Sequence, residues 1–90
     1  MNSKNQSLRV LRTLPGVGVS IANDLYQIGI QSVEDLQGKD PEDLYIRSNE
    51  KVGHRQDRCL LYVFRCAVYV AQTPEADRDP KKLKWWNWKD

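Results

Sequence analysis

Apolar residues recur at helical spacing along most of this chain, and no stretch of useful length alternates as a β-strand would. Two of these apolar series flank a short turn, and their members are Leu8, Leu11 and Leu14 before it and Ile21, Ala22, Leu25 and Ile28 after it. The turn is Pro15-Gly16-Val17-Gly18. Because proline ends a helix and glycine permits a tight reversal, we predict helices over residues 7–14 and 18–27, joined by a hairpin.

The middle of the chain carries two further helix starts. Ser32 and Asp35 form a predicted capping box, which opens a short helix that Gly38 closes. Asp40-Pro41 predicts another helix, because Asp favours the N-cap and Pro the first helical position. The residues of its predicted apolar side are Leu44, Tyr45 and Ile46. Residues 49–53 are then predicted to form a polar turn.

Residues 56–72 form the longest predicted helix, and this helix is apolar on nearly every face. Such a helix is usually the buried centre of a small bundle. The sequence therefore predicts an all-α fold, a single domain over residues 1–90, in which a small helical bundle surrounds this long apolar core helix. Residues 1–6 are polar, and we expect them to fray.

Residues 80–90 form a segment rich in tryptophan and lysine. It follows a linker over residues 73–79. Asp79-Pro80 repeats the helix start of Asp40-Pro41, and all three tryptophans lie within residues 85–88. We expect Trp85 and Trp88, with Leu83, to pack on the core helix. The lysines expected to face water are Lys81, Lys82, Lys84 and Lys89. The alternative is that the segment stacks on nucleic-acid bases or lies in a membrane interface.

One line of the core helix departs from its apolar pattern. Arg58, Tyr62, Arg65 and Tyr69 recur at helical spacing and form a single stripe. One interpretation is the solvent edge of a core helix, with the tyrosine hydroxyls in water. The other is a basic and aromatic strip that contacts nucleic acid or a protein partner.

The hairpin carries the chemistry that points to a binding site. Both Gly16 and Gly18 are expected to take positive φ and to let a ligand approach the backbone closely. The helix that follows begins with N–H groups that lack intrahelical partners, and such groups suit an anion. Ser20 can donate a hydrogen bond. The flanking positive charges are Arg9, Arg12 and Lys4.

The net charge of the chain is only +2, so any contact with nucleic acid must come from local patches. Residues 34–50 carry six acidic and two basic side chains, and we expect this segment to point away from a phosphate backbone. No signal peptide is visible, and the longest apolar run is too short for a span of ~20 residues. Free cysteines suit a reducing compartment. We therefore expect a cytoplasmic protein with no membrane partner.

The sequence predicts neither catalysis nor a metal site. No serine nucleophile accompanies His54, the only histidine. Cys59 and Cys66 are two helical turns apart, about 10.5 Å along the axis, so they cannot easily share a disulfide or one zinc ion with His54 and Asp57. The apolar residues around Cys59 are expected to raise its thiol pKa, which disfavours a redox role. We predict a protein that is not an enzyme.

The hairpin resembles the helix-hairpin-helix motif, which binds nucleic-acid backbones without reading sequence. The matching residues are Leu11, Leu14, Pro15, Gly16, Val17, Gly18, Ala22 and Leu25. The resemblance implies a SAM-domain-like arrangement, in which hairpin carbonyls hold a monovalent cation that bridges to a phosphate. Where that motif often has proline, a basic residue and a small hydroxyl residue, this chain has Val19, Ser20 and Ile21.

Most of residues 8–90 also resembles the bacterial pathogenicity-locus helix-hairpin-helix proteins, some of which are labelled mitomycin resistance proteins. The segments that carry this resemblance are residues 14–18, 29–36, 40–45, 57–69 and 85–90. The resemblance implies a small all-α domain like those that bind DNA. It implies no settled activity.

These observations leave two hypotheses for the function. The first is a module that binds the backbone of double-stranded DNA without sequence preference. Its predicted contact residues are Gly16, Val17, Gly18, Val19, Ser20, Arg9 and Arg12. The second is a protein-interaction module of the same fold, in which the hairpin only packs two helices together. The apolar Val19 and Ile21 after the hairpin favour this second hypothesis.

Overall fold

A computed structural model describes residues 3–90, and every regular element in that range is helical. The α-helices there are α1 (Lys4–Leu11), α2 (Val19–Gln27), α3 (Pro41–Val52) and α4 (Cys59–Gln72). Short 3₁₀ turns occupy Glu34–Leu36, Glu75–Asp77, Pro80–Leu83 and Trp85–Trp88. The all-α prediction is therefore confirmed.

Helix α4 lies at the centre of the bundle. Nine of its fourteen residues are buried, and Leu61, Phe64 and Ala67 have no exposed surface. Helix α3, the turn Glu34–Leu36 and residues 79–90 pack against it, while α1 packs against α2. Buried side chains from all four α-helices form one hydrophobic cluster, which fixes the hairpin relative to α4.

Helix α1 begins at Lys4, three residues before the predicted start. Ser3 Oγ accepts a hydrogen bond from the Gln6 N–H at 3.2 Å, and Gln6 Oε1 accepts from the Ser3 N–H at 3.1 Å. This reciprocal capping box satisfies donors at the helix start, so residues 4–6 are helical where fraying was expected. The rest of the segment expected to fray, Met1 and Asn2, lies outside the described residues.

Helix α1 also ends earlier than predicted, at Leu11 rather than Leu14. The N–H of Thr13 donates to the Val10 carbonyl and that of Leu14 to the Leu11 carbonyl, each at 3.1 Å. These tighter bonds turn the chain before Pro15, because a residue that precedes proline avoids the α-helical conformation. Leu11 and Leu14 are nevertheless buried, as their spacing predicts.

Asp40 caps α3 as predicted, whereas the capping box predicted at Ser32 and Asp35 is only half formed, because the Asp35 carboxylate accepts from Gln31 and not from Ser32. Ser32 Oγ accepts from the Asp35 N–H at 3.3 Å, and the Asp35 carboxylate accepts from the Gln31 N–H at 2.9 Å. Asp40 Oδ1 accepts from the Glu42 N–H at 3.0 Å and starts α3. Of the predicted apolar side of α3, however, Ile46 is 56% exposed.

The polar turn predicted at residues 49–53 is wrong, because α3 continues through it to Val52. Asn49 is helical, and its Oδ1 accepts from the Gln56 N–H at 3.0 Å. Gln56 Nε2 also donates to the buried Ser48 Oγ at 2.9 Å. These contacts hold Gln56 outside α4, which begins at Cys59 rather than at residue 56.

Candidate nucleic-acid interface

The hairpin is held on the core by the apolar residues around it. Leu11, Ala22 and Leu25 have no exposed surface, and Val17 is 6% exposed. The Val17 side chain therefore belongs to the core, and its N–H donates to the Leu14 carbonyl at 3.2 Å. Among the predicted contact residues, Val17 has neither a free side chain nor a free N–H to offer a ligand.

The two glycines of the hairpin have different conformations. Gly16 has φ +77°, as predicted, and this is a conformation that residues with a Cβ rarely adopt. Gly18 has φ −94° and ψ −167°, which is extended backbone, so the expectation of positive φ at Gly18 is wrong. Gly18 is exposed, and a Cβ added there would meet no atom within 4 Å. Gly18 therefore differs from Gly16 in that its backbone is unstrained and is surrounded by open space.

The first turn of α2 presents backbone donors without partners. Gly18 occupies the N-cap and has no side chain to accept from the turn. The first bond of the helix joins the Ala22 N–H to the Gly18 carbonyl at 3.0 Å. Among residues 3–90, no group accepts from the N–H groups of Val19, Ser20 or Ile21. That turn also carries no acidic residue, so its free donors and dipole are of the kind that suits an anion.

The predicted flanking charges lie on α1. Arg9 is in its last turn and Arg12 caps its C-terminus, next to the hairpin in sequence. Both side chains are exposed, and neither forms an ion pair within the described part of the chain. Lys4 is at the far end of α1, where its Nζ lies 5.6 Å from the centre of the Tyr26 ring. Lys4 is thus separated from the hairpin.

The hairpin also presents carbonyl oxygens. The Leu14 and Gly18 carbonyls accept bonds from Val17 and Ala22, whereas those of Pro15, Gly16 and Val17 accept none from residues 3–90. Oxygen atoms are the donors that hard cations prefer. In donor chemistry, these free carbonyls suit the monovalent cation that the helix-hairpin-helix resemblance implies.

Trp85 is part of the hairpin surroundings, and the sequence reasoning missed it. A Cβ built on Gly16 would lie 2.7 Å from Trp85 Cδ1 and 3.2 Å from Trp85 Cγ. Trp85 is half-buried and packs against the core beside Leu83. Since Gly16 and Trp85 are close to opposite ends of the chain, no local pattern signals this contact.

The Arg58, Tyr62, Arg65 and Tyr69 stripe is covered by residues 79–90. Arg58 and Arg65 both pair with the Asp90 carboxylate, and Arg65 Nη1 donates to the Trp88 carbonyl at 2.8 Å. The Tyr69 and Trp88 rings are 5.5 Å apart. The stripe is therefore neither a bare solvent edge nor an open strip, because it is occupied by the chain itself.

The sequence of this chain is similar to a described protein family and to a named protein. Residues 4–90 match the family described as Pathogenicity locus, Cdd1. The chain belongs to the Pathogenicity locus family. It is also 36% identical over 78 residues to a protein of Streptomyces lavendulae named Mitomycin resistance protein McrB, and the match covers 87% of this chain and 69% of that protein. No solved structure matches the chain.

The two cysteines of this member of the Pathogenicity locus family are free thiols, and their environments differ. Cys66 is buried, and burial raises its thiol pKa to about 11. Cys59 is exposed at the start of α4, and its pKa is raised first by a hydrogen bond with the Asp57 carboxylate. The apolar surroundings that we expected to raise the Cys59 pKa are a smaller cause than this carboxylate.

Potential metal ligands are scattered. In the range 3–90, no three side chains of histidine, cysteine, aspartate or glutamate gather as a metal ion would require. The same range contains no helix with the length and apolar character needed to cross a membrane.

Proposed function

We propose that this chain is a non-enzymatic module that binds the phosphate backbone of double-stranded DNA without reading the base sequence. The observation that carries the proposal is the exposed first turn of α2, where three N–H groups have no partner within residues 3–90. A helix start of this kind binds phosphate oxygens through its backbone donors and its positive dipole end. Backbone donors of this kind recognise phosphate and carry no information on sequence.

The surroundings of this turn support the same proposal. The open space at Gly18 lets a phosphate approach the backbone, and the Ser20 hydroxyl is exposed beside it. Arg9 and Arg12 are exposed and unpaired among the described residues, so they are available to neighbouring phosphates. The Pro15, Gly16 and Val17 carbonyls would hold a monovalent cation, whose charge would attract a phosphate oxygen.

The test is to fill the proposed phosphate site with a carboxylate from the chain. In Gly18→Asp, the new side chain has space and accepts from the first turn of α2, as an N-cap aspartate does. We expect α2 to gain a few tenths of a kcal/mol, since aspartate caps slightly better than glycine. DNA affinity should fall about tenfold or more, which corresponds to ~1.4 kcal/mol.

The matched control is Gln27→Glu, which makes the same charge change at the other end of α2. Fluorescence anisotropy with a labelled duplex measures affinity, and thermal unfolding measures stability. A Gly18→Asp protein that binds DNA as tightly as Gln27→Glu would overturn the proposal.

A protein-interaction module is the second candidate, and one observation favours it. Val19 is 61% exposed at the position directly after the hairpin, where an apolar side chain adds nothing to phosphate binding. The salt dependence of DNA binding separates the candidates. Contacts from one hairpin and two arginines predict a slope of log K against log salt of about −2 to −4. Absence of measurable binding to duplex DNA at low salt would favour the protein-interaction module.

A further inference from the structure

An open cleft of about 310 Å³ lies where the hairpin, the start of α4 and residues 79–90 meet. Its apolar lining comes from Ile21 of α2 and from Leu60 and Val63 of α4. Trp85 contributes an indole ring, and Asp24 and Asp57 contribute carboxylates. Clefts of this size with an apolar lining and a few polar groups are typical of small-molecule sites.

The charge of the cleft is opposite to that of the chain. The chain has a net charge of +2, yet two carboxylates and no lysine, arginine or histidine line the cleft. Lys89 lies close enough to lower the pKa of Cys59, but it is exposed and does not line the cleft. The lining is therefore complementary to a positively charged ligand.

Asp24 is the side chain that most needs such a ligand. It is half-buried, and among residues 3–90 it has neither an ion-pair partner nor a hydrogen-bond partner. Burial raises its pKa, because a carboxylate without a partner loses hydration. Asp57, by contrast, accepts from the Cys59 N–H at 2.8 Å, and this bond lowers its pKa. The Cys59 N–H thus favours the ionised form of Asp57, whereas Asp24 has no counter-charge within residues 3–90.

Trp85 adds a surface suited to an organic cation. Indole attracts cations more strongly than the other aromatic side chains do, and it also offers a large apolar surface. The Trp86 ring contacts Trp85 edge-on, with centroids 5.8 Å apart, and Gly16 contacts Trp85 from the hairpin side. These two contacts restrict the Trp85 ring, so the cleft has a preformed aromatic wall.

We propose that this cleft binds a small organic cation, in which an ammonium or amidinium group pairs with Asp24 and an aromatic or aliphatic body contacts Trp85, Leu60 and Val63. The proposal does not rest on DNA binding, because the cation would contact side chains of the cleft and none of the free N–H groups of α2. Gly16 belongs to both the hairpin and the cleft lining, so binding of a ligand in the cleft should change the NMR signal of Gly16.

The test compares two probes of nearly the same shape, 2-naphthylmethylammonium and its neutral counterpart 2-naphthalenemethanol. Both are titrated into the full chain without DNA and followed by the NMR shifts of the Gly16 N–H and the Trp85 indole N–H. We expect the ammonium probe to shift both signals and to bind about tenfold more tightly than the alcohol.

A pair of variants tests whether the ammonium group pairs with the Asp24 carboxylate. Asp24→Asn keeps the shape of the side chain and should reduce the affinity of the ammonium probe about tenfold. Glu34→Gln makes the same charge change at an exposed site outside the cleft and should leave that affinity unchanged. Equal affinities for the two probes, or equal effects of the two variants, would overturn the proposal. Shifts confined to residues outside the cleft would overturn it as well, and none of these outcomes depends on whether the chain binds DNA.

Discussion

The hairpin and residues 79–90 reach the same core by different means. The hairpin is a local structure, in which the Val17 and Ala22 N–H groups bond to carbonyls three and four residues away. Residues 79–90 are placed by side chains that are distant in sequence, chiefly Arg58 and Arg65. Local signals therefore predict the hairpin turn and the Asp79 cap, whereas the position of residues 79–90 on α4 depends on side chains that are distant in sequence.

The two regions also differ in what they leave free. Within residues 3–90, the N–H groups of the first turn of α2 have no partner, whereas many polar groups of residues 79–90 form hydrogen bonds with the protein. The Lys82 carbonyl accepts from Trp88 Nε1 at 2.9 Å and from Cys66 Sγ at 3.4 Å, and the Trp88 carbonyl accepts from Arg65. Many polar groups of residues 79–90 thus hold this segment on the protein, so phosphate contact is better supported at the hairpin.

The largest expected effect comes from removing residues 80–90. Leu83 and Trp85 pack on the core, and their loss exposes apolar surface of α4. We expect the free energy of unfolding to fall by about 3 kcal/mol or more, the cost typical of losing one large buried side chain. Many domains of this size have little more stability than that, so unfolding or aggregation should follow.

Thermal unfolding of the truncated chain, with DNA titration of the full chain, measures this effect. A truncated protein that keeps its melting temperature but loses DNA affinity would show that residues 80–90 contact DNA and are not needed for stability. Quenching of indole emission by DNA in the full chain would then identify residues 80–90 as a base-stacking surface.

A smaller effect separates the two hairpin glycines. Gly16→Val forces a β-branched residue into positive φ and against Trp85, so we expect a loss of about 1–3 kcal/mol. Gly18→Val meets no neighbouring atom within 4 Å of its Cβ and should cost less than about 1 kcal/mol. Urea unfolding of both variants measures the difference. Equal losses would mean that Trp85 does not restrain the hairpin in solution.

The pairs with Asp90 predict a dependence of stability on pH. Hydrogen bonds from Arg58 and then Arg65 hold the pKa of Asp90 below its ordinary value. The stabilisation is therefore present above the ordinary aspartate pKa and is lost as the pH falls through the lowered one. Asp90→Asn should reduce the melting temperature at pH 7, and its effect should shrink as the pH falls through the lowered pKa of Asp90.

Asp43→Asn is the control for Asp90→Asn, because it removes a single exposed pair with Arg47, 3.8 Å long. Exposed pairs of this kind contribute little. An Asp43→Asn variant that loses as much melting temperature as Asp90→Asn would show that the Asp90 contacts have no special part in holding residues 79–90.

The smallest expected effect is at Asp24, and its sign is opposite. The raised pKa of Asp24 means that its contribution to stability is fully present below the ordinary aspartate pKa and is lost as the pH rises through the raised one. Asp24→Asn should therefore be slightly more stable than the parent at pH 7 and equal to it near pH 3. Urea unfolding at both pH values checks this, and a less stable variant at pH 7 would indicate an unrecognised partner for Asp24.

Local chemistry was the part of this fold that the sequence predicted. Ser32 and Asp40 act within a few residues of themselves, and the structure has both in the predicted capping roles. Residues 49–53 were mispredicted because Asn49 looks like a turn residue. Its Oδ1 instead bonds to Gln56, a tertiary contact that no helical period encodes.

In the candidate site, too, some local features were predicted and a contact that depends on distant residues was not. Gly16 and the donors of the first turn of α2 follow from the hairpin pattern. The sequence did not predict the extended backbone of Gly18, because the glycine there supplies space rather than an unusual φ. The contact of Trp85 with Gly16 was also missed, since it depends on how Asp90 and Arg65 position a distant segment.

The contact between Gly16 and Trp85 has a consequence for how the protein is made. During synthesis the hairpin leaves the ribosome long before Trp85 does, so it emerges without the ring that later restrains it. Closing a loop that spans most of the chain is entropically costly and slow compared with forming a local turn. We therefore expect the hairpin to form in two stages, first as a local turn and then, once Trp85 has left the ribosome, as a turn restrained by that ring.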